Sequence, residues 1–158
     1  RDVRQHTPLH RGAERGHEAV VRLLLAAGGL DLEARTNMGC TPLHLAASEG
    51  HVTVLQMLLA AGVDKEARAH KQYTPLHLAA KRDQEAVVRV LLAAGADKEV
   101  MGNMGNDETT PLHLAAWNGH EAVVQVLLAA EADKEAREKD QCTPLHLAAD
   151  KGHEAMVQ

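Results

Sequence analysis

Aromatic residues are almost missing from this chain of 158 residues, which contains no phenylalanine, one tryptophan and one tyrosine. A core of large rings is therefore excluded, and the interior must be filled by leucine, valine and alanine. Because these side chains have small volumes, the elements that carry them can approach closely and still pack densely. The composition favours thin layers stacked on one another.

Long apolar runs and an excess of basic residues are missing as well. No run approaches the roughly 20 residues that span a bilayer, and the first residues show no signal segment, so we expect no membrane insertion and an intracellular protein, cytoplasmic or nuclear. The formal net charge is -5, with lysine and arginine spread along the whole chain. Without a basic stripe to neutralise phosphates, nucleic acid is not expected as a partner.

The chain does contain the sequence Thr-Pro-Leu-His five times. The copies start at Thr7, Thr41, Thr74, Thr110 and Thr143, and the last four continue as Leu-Ala-Ala. Their starts are 34, 33, 36 and 33 residues apart, and a period of this size is typical of a stacked solenoid.

Each copy predicts the start of a helix. Threonine can cap the first free amides, and proline at the first helical position lacks an N–H that would have no partner there. A second helix is predicted from Glu18 to Ala27, with apolar pairs at Val20-Val21 and Leu24-Leu25. Similar pairs recur in the next three repeats, so each helix has one apolar stripe that it must bury against a neighbour.

This pattern, T-P-L-H-L-A-A followed by G-H and then by V-V-x-x-L-L-A-A-G-A-D, resembles the ankyrin repeat over essentially all 158 residues. The resemblance implies an all-α solenoid in which antiparallel helix pairs are joined by β-hairpin fingers. It also implies that the protein binds another protein through its fingers and first helices. No enzymatic activity, cofactor, metal or small-molecule substrate is expected.

We expect a single domain over residues 1–158, because stacked repeats depend on their neighbours. The predicted repeats are 1–31, 32–64, 65–97, 98–133 and 134–158. The last is incomplete and the chain starts at Arg1 within a finger, so a longer array is expected. Cys40 and Cys142 lie about three helix layers, or roughly 30 Å, apart, too far for a disulfide. We expect them to be free thiols.

Three positions, two in the first repeat and one in the fourth, depart from the repeat pattern. Arg11 and Gly12 replace the Leu-Ala of the later copies, which fits either a natural N-terminal cap or simply a poorly matched first repeat. Glu131 stands where Gly28, Gly62 and Gly95 end the other second helices, a place where the left-handed conformation is usual. We interpret Glu131 as a local weakness.

The third repeat departs most. It has Asp83-Gln84 in place of Gly-His, and the finger that follows it, residues 100–109, is three residues longer than the others. Glycine and asparagine in this finger can supply the positive φ angles of a hairpin tip. We expect an extended finger with a polar, acidic tip.

Eleven histidines do not predict a metal site, because their periodic spacing places them in successive layers whereas zinc needs three or four converging ligands. The resemblance implies that the histidines of Thr-Pro-Leu-His bond neighbouring repeats. Asn103, Asn106, Asp107 and Glu108 lack the alternating pattern of a calcium loop. Ser48, the only serine, does not lie in a nucleophile elbow.

When the repeats are aligned with one another, some columns of the alignment vary while the rest do not. The binding site is predicted from these variable columns, since the resemblance places them in a concave groove. Tyr73 and Trp117 fall in these columns, and we expect both to be exposed anchors at repeats three and four. The predicted partner-binding residues are Tyr73, Lys81, Arg82, Met101, Asn103, Met104, Asp107, Glu108, Trp117 and Asn118.

Two other functions remain open from the residues alone. The array could be a spacer or regulatory arm of a larger channel, receptor or effector, which would need no aromatic anchors. It could also be an engineered binder, although the uneven repeat lengths argue against an idealised design.

Overall fold

A computed structural model describes residues 5–104 and 107–156, with only the backbone of Met104 and Asp107. The first helices of the five repeats are α1 Pro8–Glu14, α3 Pro42–Glu49, α5 Pro75–Lys81, α7 Pro111–Asn118 and α9 Pro144–Asp150. The second helices are α2 Glu18–Ala27, α4 Val52–Ala60, α6 Glu85–Ala93 and α8 Glu121–Ala129. A 3₁₀ helix, Glu154–Met156, follows α9.

The first helices begin as the Thr-Pro pattern predicts. In α7, Thr110 is extended at the N-cap, Pro111 is the first helical residue, and the His113 amide donates to the Thr110 hydroxyl. The Thr110 amide donates in turn to Nδ1 of His113 at 3.3 Å. The same reciprocal cap occurs at all five first helices, so one local motif sets the start of every repeat.

The helices form two layers. First helices pack on one another in chain order, as do the second helices. Each of the first four first helices also packs on the second helix of its own repeat, and α9 packs on the 3₁₀ helix that follows it. The interior is made of small and branched side chains, including Leu43, Leu76 and Leu91, with Val54 and Val87 fully buried. This is the closely spaced all-α stack that the absence of aromatic residues favours.

Strand pairing is confined to the third finger within the described residues. There β1 Gly102–Met104 pairs antiparallel with β2 Asp107–Thr109, and Gly102 lies opposite Thr109. Shorter fingers close with isolated turn bonds and no strand ladder, such as the Ala69 amide to the Tyr73 carbonyl at 2.8 Å and the Gln72 amide to the Ala69 carbonyl at 3.0 Å. The three inserted residues therefore supply the length that a hairpin needs.

The outer face of the first repeat is only partly polar. Arg11 donates to Glu14 at 3.0 Å, as a solvent-facing end would require. Val20 and Leu23 on α2 are nevertheless exposed, whereas Val54, the counterpart of Val20, is buried. The bond from Arg11 to Glu14 fits an N-terminal capping repeat, whereas the exposed Val20 and Leu23 do not, because a capping repeat needs a polar outer face.

Glu131 is left-handed, with φ 62°, as its glycine position predicts. We expect Glu131→Gly to raise the free energy of unfolding by about 1 kcal/mol, because a side chain in this conformation costs more than the added freedom of glycine when unfolded. Urea unfolding measures the change. Ala130→Gly is the matched control, since Ala130 has φ -86°, and it should lower stability by about 0.5 kcal/mol. A Glu131→Gly protein less stable than the wild type would contradict this account.

Candidate functional site

The histidines of the Thr-Pro-Leu-His motifs connect successive repeats. His44 is fully buried, and its Nε2 lies 3.0 Å from the carbonyl oxygen of Tyr73 in the next repeat. Because the Thr41 amide must donate to Nδ1 of His44, Nε2 carries the proton and donates to that carbonyl. Equivalent bonds join His10 to Cys40, His77 to Thr109 and His113 to Cys142.

A second set of bonds runs in the opposite direction along the chain. Nε2 of His51, His120 and His153 contacts carbonyl oxygens of the preceding repeat's first helix, those of Glu14, Lys81 and Trp117. In the third repeat the Gln84 amide nitrogen donates to the Ser48 carbonyl at 3.3 Å. Asp83 takes the left-handed glycine conformation with φ 60°. Asp83 and Gln84 therefore preserve the bond to the preceding repeat, although they replace glycine and histidine.

The histidines and thiols are not arranged for metal binding or nucleophilic chemistry. Burial lowers the pKa of His44 and of His77 to about 4, so both are neutral near pH 7. Cys40 and Cys142 are free, and desolvation raises the pKa of both thiols above the usual value. Within the described ranges, no three His, Cys, Asp or Glu side chains converge as metal ligands.

Tyr73 is not the exposed anchor that its column predicted. Only 4% of the residue is accessible, and its ring stacks on His77 with centroids 5.3 Å apart. The long third finger lies against this ring: a Cβ added at Gly102 would be 2.6 Å from Cδ1 of Tyr73. The expectation of exposure was therefore wrong, because a finger about thirty residues later in the chain covers the ring.

Trp117 and its neighbours remain accessible. Trp117 is half-buried near the end of α7, and Nζ of Lys151 lies 3.7 Å from its ring centroid. Asn118 is exposed, and its side-chain amide nitrogen Nδ2 donates to the Leu114 carbonyl at 2.7 Å. Lys81 and Arg82 are exposed at the end of α5.

The third finger presents polar side chains to solvent. Asn103 and Glu108 are exposed and lie opposite each other in the hairpin. Met101 is exposed, and its carbonyl accepts a bond from Arg68 at 2.9 Å, which connects the second finger to the third. The side chains of Met104 and Asp107, and the whole of Asn106, lie outside the described residues.

Sequence reasoning missed a cavity of about 270 Å³ beside the fourth finger, residues 135–142. We call it the fourth-finger cavity. Its lining includes Thr109, Trp117, Glu138, Asp140, Cys142 and Asp150. Glu138 is 5% exposed, and its Oε2 has no hydrogen-bond partner in the described structure. The sequence did hold one indication, because the position of Glu138 varies between repeats: the other fingers have Thr36, Ala69 and Gly102 there.

A family model described as ankyrin repeats in three copies matches residues 1–69, 31–101, 62–138 and 101–158, which together span the chain. A search of curated proteins found no match. Repeats of this kind are generally protein-interaction modules without enzymatic activity. In the part of the chain that the structure describes, no helix has the length and apolar character needed to cross a membrane.

Proposed function

This chain belongs to the ankyrin-repeat family, and we propose that it is a non-catalytic module that binds another protein through its first helices and fingers, centred on repeats three and four. The proposal keeps the predicted site residues except that Tyr73 acts from below the surface. Its ring supports Gly102 of the finger and does not itself form an exposed anchor.

The observation that carries the proposal is that accessible side chains of different chemistry lie on neighbouring elements that are bonded to one another. Trp117 offers an aromatic surface, while Lys81 and Arg82 offer positive charge one repeat earlier. His77 bonds the carbonyl of Thr109, which ties α5 to the end of the third finger. A surface held in place before binding loses little entropy when a partner docks.

The chemistry of this surface also favours a protein partner. Tryptophan and arginine are the residue types most often found to dominate protein interfaces. The polar finger residues Asn103 and Glu108 would form the hydrated rim that such an interface usually has. The surface thus combines the aliphatic and charged parts of Lys81 and Arg82 with the ring of Trp117. This combination suits recognition of a folded or an extended polypeptide.

We expect Trp117→Ala to weaken binding of a partner captured with the wild-type chain by about 2 kcal/mol, or roughly 30-fold. Stability should fall less than it would for a fully buried ring, because part of the Trp117 side chain is exposed. Affinity is measured by calorimetry with the purified partner, and urea unfolding checks the fold.

Gln125→Ala is the control, since Gln125 is an exposed residue of α8 in the second layer. Equal binding by Trp117→Ala and wild type, together with loss in Gln125→Ala, would place the interface on the opposite layer. If no captured protein depends on either residue, the array functions as a spacer.

A further inference from the structure

Glu138 is the polar side chain whose environment the stack does not explain. The residue is almost wholly covered, and although its carboxyl group interacts with the nearby Cys142 thiol, Oε2 has no hydrogen-bond partner in the described structure. Burying a carboxylate without full pairing is costly, so such a group calls for a reason that packing alone does not give. The equivalent finger positions hold small residues, Ala69 and Gly102 among them, so a carboxylate is not needed to build the finger.

The surroundings of Glu138 are acidic and aromatic. Asp140 and Asp150 line the same cavity, as does the Trp117 side chain. Lys151 is the cation that the structure places at this ring, with Nζ 3.7 Å from the centroid. An exposed ammonium over the ring is the geometry in which an aromatic face receives a cation.

We propose that the fourth-finger cavity receives an arginine side chain of the partner protein, with the guanidinium bonded to Glu138 and packed on Trp117. This rests on the proposed function, since it names the chemistry recognised at one end of the same surface. Arginine fits better than lysine because its planar group offers paired donors to a carboxylate, stacks on aromatic rings and is weakly hydrated.

Access to the carboxylate requires only local movement. The terminal torsion of glutamate has a broad energy profile, so rotation can turn Oε2 toward the cavity. Lys151 is exposed, and a guanidinium arriving at the ring would compete with it. Its ammonium is therefore expected to act as a weak internal competitor.

The test uses three short peptides: acetyl-Gly-Arg-Gly-amide, the same peptide with lysine, and the same peptide with citrulline, which is uncharged but nearly isosteric with arginine. NMR titration follows the indole N–H of Trp117, which is the only tryptophan in the chain. We expect saturable shifts with the arginine peptide, weaker binding of the lysine peptide and none of the citrulline peptide.

Variants then assign the binding to Glu138. Glu138→Gln should weaken binding of the arginine peptide at least about tenfold, because a charge-assisted bond is lost, while the fold should be retained because glutamine has nearly the same shape as glutamate. Glu121→Gln, at an exposed carboxylate of α8, should have no effect. Lys151→Ala should strengthen binding about threefold by removing the competitor.

Equal binding of the arginine and citrulline peptides, equal binding of the lysine peptide, or unchanged affinity in Glu138→Gln would each overturn the proposal. Such a result leaves the proposed function standing if a captured partner still depends on Trp117. Conversely, arginine binding by the cavity without any Trp117-dependent protein partner would contradict the proposed function.

Discussion

Replacing His77 by alanine is expected to lower the free energy of unfolding by about 3 kcal/mol. His77 is fully buried, and its ring accepts from the Thr74 amide while it donates to the Thr109 carbonyl at 3.1 Å. Alanine would leave the buried amide of Thr74 without its acceptor, open a cavity beneath Tyr73 and cut the bond to the next finger. Urea unfolding followed by circular dichroism measures the loss.

His146→Ala is the matched control for this experiment. His146 makes the same contact with its threonine, 2.7 Å from Nδ1 to the Thr143 hydroxyl, but it is exposed and lies in the last repeat. In the described chain its Nε2 has no bond to another repeat. We expect a loss of about 1 kcal/mol, the value of a helix cap. Equal losses in the two variants would mean that the bond between repeats contributes nothing measurable.

Lowering the pH from 7 to 5 is expected to reduce stability by about 4 kcal/mol through His44 and His77 together. Burial lowers the pKa of each from 6.5 to about 4 in the folded protein, so the unfolded chain binds more protons between these values. The stabilisation is complete above pH 6.5 and is lost as the pH falls toward 4, at about 2 kcal/mol per histidine by pH 5. Burial lowers the pKa of His113 as well, which acts in the same direction.

Urea unfolding at the two pH values tests this, and the His77→Ala protein supplies the control. Its stability should change by about half as much between pH 7 and pH 5, because one of the two strongly perturbed groups is gone. A wild-type protein that is equally stable at both pH values would show that these histidines are not neutral in the fold. A His77→Ala protein with the full pH response would assign the response to other groups.

The sequence could locate the predicted binding site only as a set of positions that vary between the aligned repeats. Trp117, Lys81 and Arg82 are accessible, as their positions directly after the Leu-Ala-Ala stretch suggested. The burial of Tyr73 could not be predicted, because the space over its ring is decided by Gly102 and by the path of a finger longer than the others. Local spacing carries no information about which finger folds over which ring.

Local patterns were sufficient where the cause is local. The caps follow from Thr-Pro, the second helix Glu18–Ala27 begins and ends where its apolar pairs predicted, and Glu131 has the positive φ of the glycines it replaces. Each of these depends on contacts within a few residues, so the same motif gives the same structure in every repeat.

The sequence by itself therefore determined the repeat, its helices and the stacking of an interior without large rings. The tertiary structure alone decided that Gln84 substitutes for a histidine, that Tyr73 is covered and that Glu138 is buried with one carboxylate oxygen, Oε2, unpartnered in the described structure. These outcomes depend on side chains that meet across about thirty residues of chain. Contacts between side chains of successive layers depend on how far each layer is displaced from the one before it. A periodic sequence produces a similar displacement in every repeat, but it does not specify which side chains come into contact.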